Sequence, residues 1–321
     1  MRPIPRVWNW IAAVTVSCAV AAGCVSMDDA GADLRESVAK PSVEQGQEAA
    51  GDDEETRSPR ADDASDFLER GIAKLELLGL YEEAIADFDE AIRVRPNFVE
   101  AYYSRGIARL HLSQYQNAIA DFNQAIRLRP DYADAYVNRG NARADLGLYQ
   151  DAIADYDQAI LLQPNFPLAY YNRGNAKADL GLYQDAIADY DQATRLQPNF
   201  AKAYNNRAIA KAKLSLYQDA ITDFDLVVQL QPDYADAYYN RGNAKYQLDQ
   251  LQEAIADYDQ AIQLQPDSAA AYAIRGLAKS LLGQFQEGIA DMKTAHELAQ
   301  EAGEWELAAG IERMIETLEQ E

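Results

Sequence analysis

Carboxylates are the residues with catalytic potential that this chain offers in quantity, yet their spacing argues against an active site. Pairs two residues apart recur at a fixed interval: Asp155 with Asp157, Asp189 with Asp191, and Asp257 with Asp259. Two carboxyl groups can act as general acid and base, but a catalytic site is a single arrangement, so a repeated pair indicates a structural role. The chain has 2 histidines, and neither a glycine-rich phosphate loop nor a zinc-type Cys/His cluster. We expect no enzymatic activity, metal site or cofactor.

A column of arginines recurs at the same interval, each followed four residues later by Arg or Lys. Its members are Arg105, Arg139, Arg173, Arg207, Arg241 and Arg275, followed by Arg109, Arg143, Lys177, Lys211, Lys245 and Lys279. An arginine at a helix interface needs a paired anion, because an isolated buried charge is costly. The in-phase acids are Asp121, Asp155, Asp189, Asp223, Asp257 and Asp291. We predict a structural Arg–Asp ladder between helices; the alternative is an anion-binding groove.

Prolines mark the length of the repeat in which these residues recur. Pro96, Pro130, Pro164, Pro198, Pro232 and Pro266 are each 34 residues apart. A repeat of this length with helical spacing of apolar residues predicts stacked helix pairs that share one interior, an α-solenoid. Within each pair, a glycine such as Gly147 ends the first helix, and Pro164 forces Gln163 out of the helical region.

The repeat resembles the tetratricopeptide repeat at its large, small, turn and proline positions. The matching residues in one copy are Tyr136, Gly140, Ala142, Gly147, Tyr149, Ala152, Tyr156, Ala159 and Pro164. The resemblance covers residues 65–302 and implies an all-α fold of about seven antiparallel helix pairs, in a right-handed superhelix with a concave inner face. The segment 303–321 then reads as a capping helix whose apolar stripe includes Trp305, Ala308 and Ile311 and whose other face is acidic.

Asparagine and tyrosine are the candidate peptide-binding residues, because the resemblance places them on the first helix of each pair, facing the concave surface. The set is Asn138, Asn141, Asn172, Asn175, Asn206, Asn240 and Asn243, with Tyr103, Tyr171 and Tyr239 as aromatic anchors. An amide side chain donates and accepts, so a row of them matches the backbone of an extended peptide. Tyr102, adjacent to Tyr103, is expected in the core. The alternative is that the asparagines bond neighbouring helices.

The N-terminal segment predicts export. Residues 1–24 have a short basic start and an apolar run from Trp8 to Ala22, too short for a comfortable membrane span and typical of a secretory signal. Cys24 follows small residues in a sequence that resembles a bacterial lipobox, which implies acylation and a lipid anchor. Cleavage at an A-x-A site ending at Ala21 is the alternative. Residues 25–64 are acidic and without aromatic residues, and we expect a disordered linker.

Composition narrows the function further. The formal net charge of -23 and the pI near 4.4 argue against a nucleic-acid partner, which requires clustered Lys and Arg. We expect an exported, lipid-anchored protein of the bacterial cell envelope, facing the periplasm or the exterior. It is expected to act as a non-catalytic scaffold that binds a peptide or helix of a partner protein in its concave groove, with no small-molecule substrate. The alternative is a carbohydrate-binding protein of the cell wall or an accessory enzyme.

Overall fold

The computed structural model describes residues 61–320, which contain fifteen α-helices and no strand. The all-α fold class is therefore confirmed. The described residues divide into two compact units, 61–182 and 183–320, here called the N-terminal and C-terminal units. The predicted signal segment, Cys24 and nearly all of the acidic linker lie outside the described residues.

The N-terminal unit holds α1 to α7 and the C-terminal unit holds α8 to α15. The first seven helices are α1 (Ala61–Ala73), α2 (Tyr81–Val94), α3 (Val99–His111), α4 (Tyr115–Leu128), α5 (Ala133–Asp145), α6 (Tyr149–Leu162) and α7 (Pro167–Asp179). The others are α8 (Tyr183–Leu196), α9 (Ala201–Lys213), α10 (Tyr217–Leu230), α11 (Ala235–Gln247), α12 (Leu251–Leu264), α13 (Ala269–Leu281), α14 (Phe285–Glu301) and α15 (Trp305–Glu319).

Consecutive helices form hairpins, and the first helices of successive hairpins are direct neighbours. In the N-terminal unit α3 pairs with α4 and α5 with α6, while α1 contacts α3, α3 contacts α5, and α5 contacts α7. In the C-terminal unit α9 pairs with α10, α11 with α12, and α9 contacts α11. Within each unit, the first helices therefore line the inner side of the stack.

One hairpin shows why the repeat folds this way. Gly140 on α5 faces the ring of Tyr156 on α6, and a Cβ at this glycine would lie 2.6 Å from Cε1 of that ring. The large aromatic thus fits only because the residue opposite is small. Gly147 turns the chain with a φ of 73°, and Gln163 leaves the helix with φ −134° and ψ 87°. Both predicted breaks are confirmed.

The two ends of the described chain depart from the repeat. The first copy has an extra residue in its turn, which a π-helix over Lys74–Leu78 absorbs before Gly79 turns the chain with φ 61°. At the other end, α15 buries Ala308 and Ile311 against the last hairpin, as predicted for a capping helix. The ring of Trp305, predicted on the buried stripe, is 67% exposed, because it lies at the first residue of α15, at the rim of the contact.

Candidate binding face

The arginine column forms the predicted ladder. Arg139 on α5 holds Asp155 on α6 through Nε and a terminal nitrogen, at 3.0 and 2.5 Å. The other terminal nitrogen reaches Asn123 Oδ1 on the preceding second helix at 2.6 Å, and Arg143 donates to Asp155 Oδ2 at 2.6 Å. The same pairing within a unit joins Arg105 to Asp121, Arg207 to Asp223, Arg241 to Asp257, and Arg275 to Asp291.

Ladder arginines that lie in the same unit as both of their partners bridge two second helices. Arg207, for example, bonds Asp223 of its own hairpin and Asp191 of the preceding helix, each at 2.6 Å. Burial acts to lower the pKa of Arg207, but the two carboxylates outweigh burial and raise the pKa. Since these guanidinium groups are already neutralised, the ladder is structural, and the alternative of an anion-binding groove finds no support in these pairs. The paired acids Asp155 and Asp157 have the structural role predicted for them.

The inner side of α5 carries a polar row, here called the inner stripe. On α5 it consists of Asp134, Asn138, Asn141 and Asp145, and the equivalent row on α7 is Leu168, Asn172, Asn175 and Asp179. The spacing of four, three and four residues keeps each row on one helix face. The row extends to the last residue of both helices.

The asparagines of the N-terminal unit bond neighbouring helices. Asn138 donates to the hydroxyl of Tyr103 on α3 at 2.8 Å. Asn141 Oδ1 accepts from Asn172 on α7 and from the hydroxyl of Tyr156 on α6, both at 2.9 Å. These bonds join four helices. The alternative stated above, that the asparagines bond neighbouring helices, is therefore correct for Asn138, Asn141 and Asn172. Their binding of a peptide stays a prediction.

Tyr103 is not an exposed anchor, and that prediction was wrong. Its side chain is 4% exposed, because the ring packs 4.7 Å from Tyr132 and 5.9 Å from Phe122, measured between ring centroids. Burial raises the pKa of Tyr103 well above its ordinary value. Tyr102, predicted in the core, is only half-buried, with the guanidinium of Arg105 5.4 Å from its ring centre. Tyr102 nevertheless packs against the buried core, so the correction concerns Tyr103.

The remaining predicted residues stay partly accessible. Tyr171 and Asn175 in the N-terminal unit, and Asn206, Tyr239, Asn240 and Asn243 in the C-terminal unit, are all half-buried. Asn243 Oδ1 accepts from the Tyr258 hydroxyl at 3.0 Å, and Tyr239 lies 6.1 Å from the Tyr258 ring. The structure thus places these residues on first helices, as predicted, and leaves their role in binding untested.

The carboxylates at the ends of the inner stripe are the groups that sequence reasoning missed. Both side chains are exposed at the ends of their helices. Partial desolvation by the neighbouring helices raises the pKa of Asp145 to about 6 and also raises the pKa of Asp179. The pKa of Tyr149 is raised by burial first and then by the charges of Asp179 and Asp145, so both acids lie near one hydroxyl. The sequence does contain a signal for their position. Asp145 and Asp179 each follow an inner-stripe asparagine by four residues, which places them on the same face of the helix.

A cleft of about 370 Å³ lies beside the cap in the C-terminal unit. Its lining residues are Phe285, Gln286, Ile289, Lys293, Leu318 and Glu319. Lys293 and Glu319 form an exposed ion pair of 2.9 Å at this cleft. Within residues 61–320, no group of His, Cys, Asp and Glu is arranged to hold a metal ion. Over the same range, none of the helices has the length and apolar character to cross a bilayer.

Comparison with known proteins gives matches along the repeats. The family model described as TPR repeat matches residues 77–112, 108–147, 140–181 and 216–249, and the model described as tetratricopeptide repeat matches 167–200 and 235–268. Together they cover more than half of the 321 residues. No curated protein sequence matches the chain significantly.

Solved structures match as well. YrrB, described as a TPR protein with an unusual peptide-binding site, is 23% identical with a TM-score of 0.50, over 57% of this chain and 95% of its own. MamA from Desulfovibrio magneticus RS-1 is 25% identical with a TM-score of 0.51, over 53% and 96%. A protein from Parabacteroides merdae ATCC 43184 is 19% identical with a TM-score of 0.58, over 78% and 99%. The two likenesses below 25% identity show the fold alone.

Proposed function

The chain belongs to the tetratricopeptide-repeat family, and on that premise we propose that it is a scaffold of the cell envelope which holds a segment of a partner protein against its inner stripes. The fold is that of a protein–protein interaction scaffold, and members of this family are generally non-catalytic adaptors. The partner segment and the envelope location are the parts of this proposal that need testing.

The observation that carries the proposal is the contrast between the two sides of the first helices. On one side, the ladder ion pairs and the buried aromatic residues hold neighbouring hairpins together. On the inner side, polar residues of the stripe such as Asn172, Asn240 and Gln247 keep part of their surface in solvent. In each unit, a polar face built on rigid helices offers contact area and hydrogen-bonding groups to another polypeptide.

Photo-crosslinking in the native envelope tests the binding face. A benzoylphenylalanine is introduced at Leu168 or Gln247, two inner-stripe positions that leave the amide bonds and the ladder intact. Matched controls carry it at Gln158 on α6 or Gln229 on α10, exposed positions of second helices. We expect adducts with another protein from the inner positions and few from the controls. Equal adducts from both faces would refute the proposed face.

A separate experiment tests the alternative function, a carbohydrate-binding protein of the cell wall. Protein-free peptidoglycan sacculi are mixed with the purified full chain and sedimented. Under the proposed function, the chain stays in the supernatant. Cosedimentation with bare sacculi would favour the carbohydrate-binding class over the scaffold.

Membrane anchoring through Cys24 is the second part of the proposal. A lipobox cysteine that carries several acyl chains exceeds the two signals that stable attachment requires, whereas Cys18, within the apolar run, would be removed with the signal. Cys24→Ala is expected to move the mature protein into the soluble fraction, while Cys18→Ala leaves it in the membrane fraction. If the Cys24→Ala variant remains in the membrane fraction, the lipid anchor is excluded.

A further inference from the structure

The first arginine of the ladder, Arg70 on α1, lacks a contact that the later ladder arginines make. In the later copies, one terminal nitrogen bonds a side chain of the preceding second helix, as in Arg173 to Asp157 at 2.5 Å, Arg241 to Asp225 at 2.7 Å and Arg275 to Asp259 at 2.6 Å. Arg70 holds Asp87 of its own hairpin through Nε and Nη2. Its other terminal nitrogen, Nη1, has no acceptor among residues 61–320, and no helix of that range precedes α1.

The guanidinium group of Arg70 is also far more accessible than its counterparts. The Arg70 side chain is 56% exposed, whereas the later ladder arginines are between 13% and 18% exposed. A guanidinium group presents five N–H donors in a planar fork, and the later copies show that it can hold two carboxyl or amide groups at once. Arg70 can therefore bond a second carboxylate without releasing Asp87.

The sequence before α1 contains carboxylates at the spacing of the ladder. Asp157 lies 16 residues before Arg173, and this separation is the same for the corresponding pairs of the other copies. Glu54 lies 16 residues before Arg70. It belongs to the run Asp52-Asp53-Glu54-Glu55, here called the acidic run, which lies outside the described residues.

The length of the connecting chain allows the acidic run to reach Arg70. Arg70 lies about 14 Å along α1 from Ala61. The stretch from Glu54 to Ala61 can extend over about 23 Å, enough for the return along α1 and a turn. Pro59 lies within this stretch and disfavours a helix through the residue before it, so the chain can reverse there.

A second copy of the chain, stacked end to end, fits this end of the array poorly. Asp66 on α1 is exposed where later copies bury an alanine, such as Ala101 and Ala135. A complete hairpin packed here would bury that carboxylate, which is unfavourable. At the other end of the array, Lys293 replaces the carboxylate that earlier second helices offer to the next arginine, so it would face Arg70 in such a contact. A short acidic segment avoids both costs.

We propose that the acidic run docks against the N-terminal end of the stack and gives Nη1 of Arg70 its second carboxylate, with Glu54 in the place that Asp157 has beside Arg173. The contact closes this end through charge, as α15 closes the other end through apolar packing. In a chain anchored at Cys24, it fixes the point at which the tether leaves the first hairpin. The inference concerns the end of the stack and does not depend on partner binding at the inner stripes.

Photo-crosslinking within the purified full chain in detergent tests the contact. A benzoylphenylalanine replaces Phe67, whose ring centre lies 4.9 Å from the guanidinium carbon of Arg70, and crosslinked peptides are mapped by mass spectrometry. The control position is Glu83, exposed on α2. We expect crosslinks from position 67 to the acidic run, at a yield at least fivefold above that from position 83.

Two charge variants decide whether the acids hold the segment in place. Asp52→Asn/Asp53→Asn/Glu54→Gln/Glu55→Gln should lower the crosslink yield from position 67 at least fivefold. The matched control, Asp33→Asn/Glu36→Gln/Glu44→Gln/Glu48→Gln, removes the same charge from an earlier part of the segment and should change the yield less than twofold. The net charge of -23 repels an acidic segment from the surface as a whole, so a crosslink that needs the acids indicates a specific cation.

Three outcomes would overturn the inference. These are the absence of a crosslink from position 67 to the acidic run, equal yields from positions 67 and 83, and a yield that stays the same without the four acids. The source of the segment is identified by mixing isotope-labelled and unlabelled chains before irradiation. Adducts within one chain support the proposed contact, whereas adducts between labelled and unlabelled chains would assign the acids to a second copy and contradict it.

Discussion

The α5 helix of the N-terminal unit and the α9 helix of the C-terminal unit are built on the same frame and differ in the charge of their inner sides. In both, a ladder arginine and a second basic residue hold a buried aspartate, Asp155 in one and Asp223 in the other. At the ends of the inner stripe, α5 has Asp134 and Asp145 where α9 has Lys202 and Lys213. The repeated residues determine the fold, and the residues that change between copies give each part of the inner side its own chemistry.

The largest expected effect tests the shared part of this comparison. Arg139→Ala and Arg207→Ala should each lower the free energy of unfolding by about 3 kcal/mol, because each leaves a buried carboxylate with one cation instead of two. Urea unfolding followed by circular dichroism measures the loss. Arg195→Ala, at an exposed position of α8, is the control and should cost less than about 0.5 kcal/mol. If Arg139→Ala and Arg207→Ala were as stable as this control, the ladder would not be structural.

A smaller effect is expected from the amide bonds of the N-terminal unit. Tyr103→Phe removes the acceptor of the Asn138 amide, a buried donor only 2% exposed. Leaving such a donor unpaired should cost about 1–2 kcal/mol in unfolding free energy. A double-mutant cycle with Asn138→Ala sharpens the test, since the two losses should not add if the bond is the cause. Fully additive losses would contradict the bond.

A still smaller effect is expected at Asp145, the last residue of α5. The pKa of Asp145 is about 6 in the folded chain, above the 3.9 typical of an unfolded chain. Its charge therefore opposes folding fully above pH 6, and the penalty disappears as the pH falls toward 4. Asp145→Asn should gain up to about 1 kcal/mol at pH 7, after allowance for solvent screening, and nothing at pH 4. Urea midpoints at the two pH values measure the difference.

The same experiment has a counterpart in the C-terminal unit. Lys213→Gln removes a cation at the C-terminal end of α9, where the helix dipole favours it, so it should lose a few tenths of a kcal/mol. Opposite signs for Asp145→Asn and Lys213→Gln at pH 7 would sharpen the comparison of the two units. A gain for Asp145→Asn that persists at pH 4 would contradict the assigned cause.

Much of the frame was predictable from the sequence, because spacing alone carries it. Stacked helix pairs account for three features of the sequence at once. These are the proline interval, the glycine turn at Gly147 and the constant spacing between each ladder arginine and its aspartate. The burial of Tyr103 was not predictable. Adjacent helix residues point about 100° apart, and only the packed neighbours Tyr132 and Phe122 decide which ring is buried.

The inner face was less predictable than the frame. The asparagine column was correctly predicted to lie on the first helix of each pair. An amide can bond a ligand or a neighbouring helix equally well, however, and the sequence does not distinguish these partners. Asp145 and Asp179 resemble ordinary surface charges in a chain with 52 acids. The shift in their pKa depends on how closely the neighbouring helices approach them, which the sequence alone does not give.

The most direct test gives α5 and α7 the residue that α9 has at the last stripe position. In the full chain carrying Asp145→Lys/Asp179→Lys, urea unfolding and photo-crosslinking from Leu168 in the native envelope are measured together. The account predicts an unfolding free energy within about 1 kcal/mol of the parent chain and a large loss of the crosslinked adduct. A variant that unfolds, or one that keeps the full yield of adduct, would contradict the separation of frame from recognition.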